Sequence, residues 1–190
     1  MEENIKNKLL IIGAGGLGRV VSDHAVKKYE CSFVDDGYES GTEICGVKVV
    51  GHTTDLTALF AEHKLLIVAI GNNILRERIY HEAEAIGYRF PNIIASNVYI
   101  SPYAKWGYGC VLLNNVCIQN GSKIGNGVIL NPGVEIHHDS TVEDFALIYT
   151  NSVIRTNAKI GKRVKIGSNV SVGNNIEIEA DSVIDNGMSL

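Results

Sequence analysis

The chain has 190 residues, 45% hydrophobic and 20% charged, with a formal net charge of -4, which is globular composition and room for one domain or two small ones. No apolar run approaches the ~20 residues of a membrane span, and no basic block offers a footprint for nucleic acid or an anionic membrane. The opening MEENIKNKLL has no cleavage site and is not expected to export the chain, and Cys31, Cys45, Cys110 and Cys117 show neither CxxC nor zinc spacing, so they read as buried thiols of a cytoplasmic protein without a metal.

Lys8–Ile12 reads as a short strand running into Gly13-Ala14-Gly15-Gly16-Leu17-Gly18, with an amphipathic stretch over 19–29. A second strand, 31–34, ends in Asp35-Asp36, the first acid lying 22 residues after Gly13. This is G-x-G-x-x-G in a strand–turn–helix setting, with an acid where a ribose hydroxyl is read. Glycines there let the backbone approach a phosphate at the helix N-terminus. A third strand, 65–70, ends in Gly71-Asn72-Asn73, and a helix over 74–86 carries Arg76 and Arg78. Residues 1–90 supply about one nucleotide-binding half, so a mononucleotide or nucleotide-sugar fits better than a dinucleotide. The bland alternatives are a purely structural glycine turn and a solvated strand end at Asp35-Asp36.

From Ile94 every sixth residue to Ile184 is aliphatic, with Trp106 the one exception among sixteen. Four residues after each, the row from Val98 to Ser182 is small or β-branched throughout. A period of six excludes a helix, whose period is ~3.6, and fits strand alternation with a corner in every hexad. It is the hexapeptide signature of a parallel β-helix. Three hexads close a triangular coil, and sixteen predict about five coils in a prism roughly 25 Å tall. The position after each aliphatic, which holds Gly107, Gly125, Gly161, Gly167, Gly173, Asn131 and Asp185, is expected to take positive φ at the corner. The fold class is thus an α/β Rossmann-like domain over 1–90 followed by an all-β parallel β-helix over 91–190.

The glycine run 13–18, Phe33-Val34-Asp35-Asp36, Ala69-Ile70-Gly71-Asn72-Asn73 with Arg76, and the segment from Leu130-Asn131 through His138-Asp139 resemble one family across the whole chain. It is the sugar acetyltransferases that join a small Rossmann-like domain to a hexapeptide β-helix, among them sialic acid O-acetyltransferases and N-acetyltransferases of UDP-4-amino-sugars. The resemblance implies a left-handed helix, a homotrimer with active sites between neighbouring prisms, acetyl-CoA as donor, and a nucleotide-sugar acceptor held by the N-terminal domain. Surface polysaccharide or glycan biosynthesis is the implied setting. Residue by residue it implies His138 as catalytic His, Asp139 as its acid and Asn131 as an active-site Asn. Gly13, Gly15, Gly16, Asp35, Asp36 and Asn72 fall to the acceptor, and His137, Asn151, Thr156 and Gly167 to the CoA groove. Four residues depart from the pattern: Leu17 stands where some members place His, Leu147 where many place a second His, and Asn151 and Thr156 at small or Gly positions of the CoA groove.

Acetyl transfer from a thioester needs a base near neutral pH and donors for the oxyanion. His138 is the natural base and Asp139 its orienting partner, with His137 a second candidate. Adjacent strand residues point to opposite faces, so the pair works only at a corner or with an acid from another chain. Polar residues at the corner positions Asn131, His137, Glu143, Tyr149 and Arg155 mark 131–155 as the region of the site. No Cys or Ser nucleophile is required, because an acceptor amine can attack acetyl-CoA directly. An N-acetyltransferase leads. O-acetylation of sialic acid or another sugar, and a scaffold without competent CoA binding, stay open. The scaffold draws on the end of the chain at Leu190, which is expected to leave a sheet edge exposed. An NAD-dependent oxidoreductase is the weakest reading.

Overall fold

The computed structural model describes residues 6–190, so Met1–Ile5, and with them the start of the segment read as lacking an export signal, lie outside the described residues. The chain divides into two compact units, the first ending at Ile93 and the second spanning Ile94–Leu190. Among the described residues no helix is long and apolar enough to cross a membrane.

The first unit runs β1 (Lys8–Ile12), α1 (Gly16–Ala25), β2 (Glu30–Val34), β3 (Glu43–Ile44), β4 (Val47–Gly51), a 3-10 turn (Thr53–Asp55), α2 (Leu56–Leu59), β5 (Leu65–Val68) and α3 (Asn73–Ile86). The sheet order is β3-β4-β2-β1-β5, parallel except for β3 against β4. β1 sits between β2 and β5, and Leu9, Leu10 and Ile11 are fully buried. A continuous apolar run is what a parallel strand buried on both faces requires. The chain turns to one side of β1 for β2 and to the other for β5, so the carboxyl ends of these strands form a switch point where open α/β sheets take ligands. Sequence reading missed the β3–β4 hairpin. Its turn residues, Cys45 and Gly46, have φ of 51° and 76°, the conformation that Asn-Gly usually announces and Cys-Gly does not. Cys45 is exposed, Cys31 and Cys117 are half-buried and only Cys110 is buried, which corrects the expectation of four buried thiols.

In the second unit sixteen two-residue strands, each ending on an aliphatic of the six-residue row or on Trp106, form three parallel sheets of five, five and six strands. The first face holds Tyr99–Ile100, Cys117–Ile118, Glu135–Ile136, Val153–Ile154 and Ser171–Val172. The second runs from Lys105–Trp106 to Glu177–Ile178 and the third from Ile93–Ile94 to Val183–Ile184. Partners lie eighteen residues apart, as Ile118 does from Ile136. The aliphatic and small rows merge into one core, and most of its side chains are fully buried. Each buried aliphatic contributes ~1.5–3 kcal/mol. At the first coil the interior is open, leaving Ile94 40% and Trp106 42% exposed.

The corners differ from expectation. Positive φ falls three residues after each aliphatic, at every sixth residue from Gly109 to Gly187. From Gly127 onward its N–H leaves its own coil and donates to the one before, as Asp139 N does to Asn120 O at 3.0 Å. The glycines one position after the aliphatic, and with them Asn131 and Asp185, have ordinary φ. These glycines are small because the next coil passes close: a Cβ on Gly161 would stand 2.6 Å from Ala180 N and 2.8 Å from Ile178 O, both backbone atoms. Gly161→Ala is therefore expected to destabilise by ~1–3 kcal/mol, read as a lower midpoint in thermal or urea unfolding; an unchanged midpoint contradicts this packing.

Candidate active site

The hexad ending on Ile136 turns from the first face to the second, and this corner carries His137, His138 and Asp139. Asp139 has φ 62°, and that turn defeats the strand alternation that would have sent the two side chains apart. His138 Nδ1 and Asp139 Oδ2 stand 2.8 Å apart. A carboxylate only accepts, so Nδ1 carries the proton and Nε2 presents its lone pair. The pair is 53% and 60% exposed, and a hydrogen bond so open to water contributes little to stability. Its geometry suits proton transfer.

The coils above and below complete the corner. Gln119 Oε1 accepts from His138 N at 3.1 Å. A Cβ on Gly121 would overlap Asp139 Oδ1, so a glycine one coil earlier leaves the carboxylate its room. Thr156, eighteen residues after His138, sets its hydroxyl 3.1 Å from Nε2 and donates to that lone pair. Ser122 Oγ donates to His137 O at 2.9 Å and Ser140 Oγ to Arg155 O at 2.8 Å, tying the corner to the interior. Sequence reading missed Gln119 and Gly121; the eighteen-residue stacking rule, applied to His137 and Asp139, was the signal that finds them.

The other expected residues lie elsewhere. His137 is at the same corner, with Nε2 3.4 Å from Glu135 Oε2. Asn131, Tyr149, Asn151 and Gly167 are at the corner between the third and first faces, and Glu143 is at the corner between the second and third. The polar run 131–155 is thus dealt out to three corners, and within one chain Asn131 is not brought to His138. Thr156 sits beside the base.

In the first unit a cavity of about 440 Å³ opens at the carboxyl ends of β1, β2 and β5. Its lining includes Gly13, Gly15, Gly16, Leu17, Asp35, Asp36, Thr53, Leu75, Arg78 and Glu82. The two acids face it but are already engaged. Asp35 accepts from Ala14 N at 2.7 Å and Gly37 N at 2.8 Å, and Asp36 from Thr53 N at 2.7 Å. They pin the glycine turn and the start of the 3-10 turn. Asn72 is not part of the lining: its Oδ1 caps α3 by accepting from Leu75 N at 3.0 Å. Arg76 is fully buried and fastens the loop before α3 by donating to Ile70 O at 2.8 Å and Asn73 Oδ1 at 2.9 Å.

The glycines of the turn divide by cause. Gly13 has φ 98°, and a Cβ on Gly18 would overlap Gly13 O, so the fold requires both. Gly15 and Gly16 have open space where a Cβ would be. Nothing in the fold demands glycine at either position, and both open on the cavity beside the first N–H groups of α1, whose N-cap offers no side-chain bond.

A stack of hexapeptide coils with an exposed His–Asp pair at one corner, together with a nucleotide-type α/β unit, defines a hexapeptide acyltransferase. Residues 8–83 match the PglD N-terminal domain family. The acetyltransferase domain of PglB from Neisseria gonorrhoeae FA1090, solved in complex with acetyl coenzyme A, is 31% identical, with 97% of this chain and 95% of that one covered at a TM-score of 0.86. A mutant of perosamine N-acetyltransferase from Caulobacter crescentus, in complex with CoA and GDP-perosamine, is 27% identical over 97% of this chain and 88% of that one, with a TM-score of 0.92. WeeI from Acinetobacter baumannii AYE shares the fold at 21% identity, 97% and 96% coverage and a TM-score of 0.81. The chain belongs to the hexapeptide-repeat sugar acetyltransferases with a PglD-type N-terminal domain, and its prism is a left-handed β-helix.

Gly16→Ala separates fold from ligand. It is expected to raise the melting temperature slightly, because alanine is the better helix former, and to weaken binding of a nucleoside diphosphate measured by calorimetry. Unchanged binding in that variant removes the phosphate reading of the turn.

Proposed function

We propose that this protein transfers the acetyl group of acetyl-CoA to the amine of a nucleotide-linked amino-sugar, with His138 as general base. The observation that carries the reading is the Asp139–His138 contact, which directs the lone pair of Nε2 outward. The neutral amine attacks the thioester carbonyl, and Nε2 takes its proton as the C–N bond forms. Asp139 steadies the imidazolium. Collapse of the tetrahedral adduct breaks the C–S bond, and the thiolate leaves as CoA-SH with the proton from Nε2. The N–H of Thr156 has no partner among the described residues, and it is a donor for the oxyanion. Thr156 Oγ1 yields its place on Nε2 to the incoming amine.

The nucleotide end of the acceptor is assigned to the cavity of the first unit. The similar Caulobacter protein bound to GDP-perosamine supports a nucleotide-linked acceptor. UDP-linked 4-amino-sugars are the first class to test. Asn131 and His138 occupy different corners, so a site that uses both joins two copies of the chain, in keeping with a homotrimer. Catalysis in a cytoplasmic step of surface polysaccharide or glycan assembly fits this chemistry.

The experiment is CoA release from acetyl-CoA with a panel of UDP-, GDP- and dTDP-amino-sugars. His138→Ala is expected to lower the rate by ~10²–10⁴-fold with an unchanged melting curve. Co-expression of His138→Ala with Asn131→Ala chains is expected to regain activity that neither has alone. Full activity in His138→Ala contradicts the mechanism, and failure of the mixed assembly contradicts the shared site.

A further inference from the structure

We propose that Arg78 is the side chain that reads the diphosphate of the acceptor, and that Glu82 holds it in reserve until the ligand arrives. This rests on reading the first-unit cavity as the nucleotide-sugar site. The ionisable side chains lining that cavity are Asp35, Asp36, Arg78 and Glu82. Three acids face one cation, so a diphosphate entering without Arg78 meets net negative charge and only the N–H groups of the glycine turn. Asp35 and Asp36 are tied to backbone N–H groups and do not move away.

α3 puts Arg78 and Glu82 one turn apart on a single face. Their closest atoms, Nε and Oε1, are 3.6 Å apart, and the side chains are 68% and 56% exposed. That separation is beyond a good hydrogen bond, and exposed pairs of this kind hold weakly. A phosphate offers the guanidinium two parallel charge-assisted bonds, so exchange of Glu82 for phosphate is favourable. The two arginines of α3 divide the work: Arg76 is turned inward and frames the loop, while Arg78 faces the cavity. A neutral free sugar has no use for this cation. Among free sugars only an acidic one presents a competing anion.

The test is calorimetric binding of UDP, GDP, uridine, guanosine and N-acetylneuraminate to the intact protein and to Arg78→Gln and Glu82→Gln. Both positions are exposed, and melting curves check that both variants fold. Arg78→Gln is expected to weaken the bound diphosphate roughly ten- to a hundredfold while leaving the matching nucleoside little changed. Glu82→Gln is expected to tighten the diphosphate, a gain that a merely structural pair does not give. Wild-type affinity in Arg78→Gln, equal losses for nucleoside and diphosphate, or weaker binding in Glu82→Gln overturns the assignment. N-acetylneuraminate binding above either diphosphate overturns the ligand class. A wild-type protein that takes neither diphosphate removes the reading of the cavity itself; diphosphate binding that is not weakened in Arg78→Gln removes this assignment alone.

Discussion

One left-handed residue in every hexad from Gly109 onward is the constraint on which the prism depends. It lies in the turn after a two-residue strand, swings the chain to the next face and, from Gly127 onward, sends its N–H back to the preceding coil, as Phe145 N does to Asn126 O at 2.8 Å. Twelve of the fourteen such positions from Gly109 to Gly187 are Gly, Asn or Asp, the residues that enter this conformation at least cost. Phe145 and Arg163 are the exceptions, where a left-handed backbone costs ~1–2 kcal/mol. Each has a local offset: Phe145 is buried to 2% beneath the Lys162 ammonium, and Arg163 Nε reaches Asp181 at 2.6 Å. The same backbone device at Asp139 delivers a carboxylate to its neighbour's imidazole. The chemistry at this corner follows from the geometry that closes the coil.

The second organising fact is that proximity in this fold runs by eighteens. The base, the residue on its lone pair and the side chain on its backbone N–H come from three successive coils: His138, Thr156 and Gln119. Residues six apart, however similar in type, go to different corners. A row of polar residues along the sequence therefore says little about any one site, whereas a column of them says much.

This separates what sequence reading could reach from what it could not. The fold was legible because burial imposes a period that no helix or ordinary strand shares, and it is written in the rows from Ile94 and Val98. His138 and Asp139 were legible as a pair, and the condition attached to them, a bend between the two, is met. The glycines after the aliphatics were legible as special but for the wrong cause, since close approach and positive φ select the same residue type. The β3–β4 hairpin was hidden by its Cys-Gly turn. Asp35 and Asp36 were legible as cavity residues, but their backbone partners, which turn them into pins of the surrounding loops, depend on contacts that only the folded chain brings together.

The central claim is that Asp139 fixes the tautomer of His138. Long-range proton–nitrogen NMR of the imidazole ring, above the pH at which it is neutral, measures this directly. The protein is expected to show a protonated Nδ1 and a bare Nε2, the reverse of what an unpartnered imidazole prefers, and Asp139→Asn is expected to abolish that preference. A ring protonated at Nε2 in the unmodified protein contradicts the account.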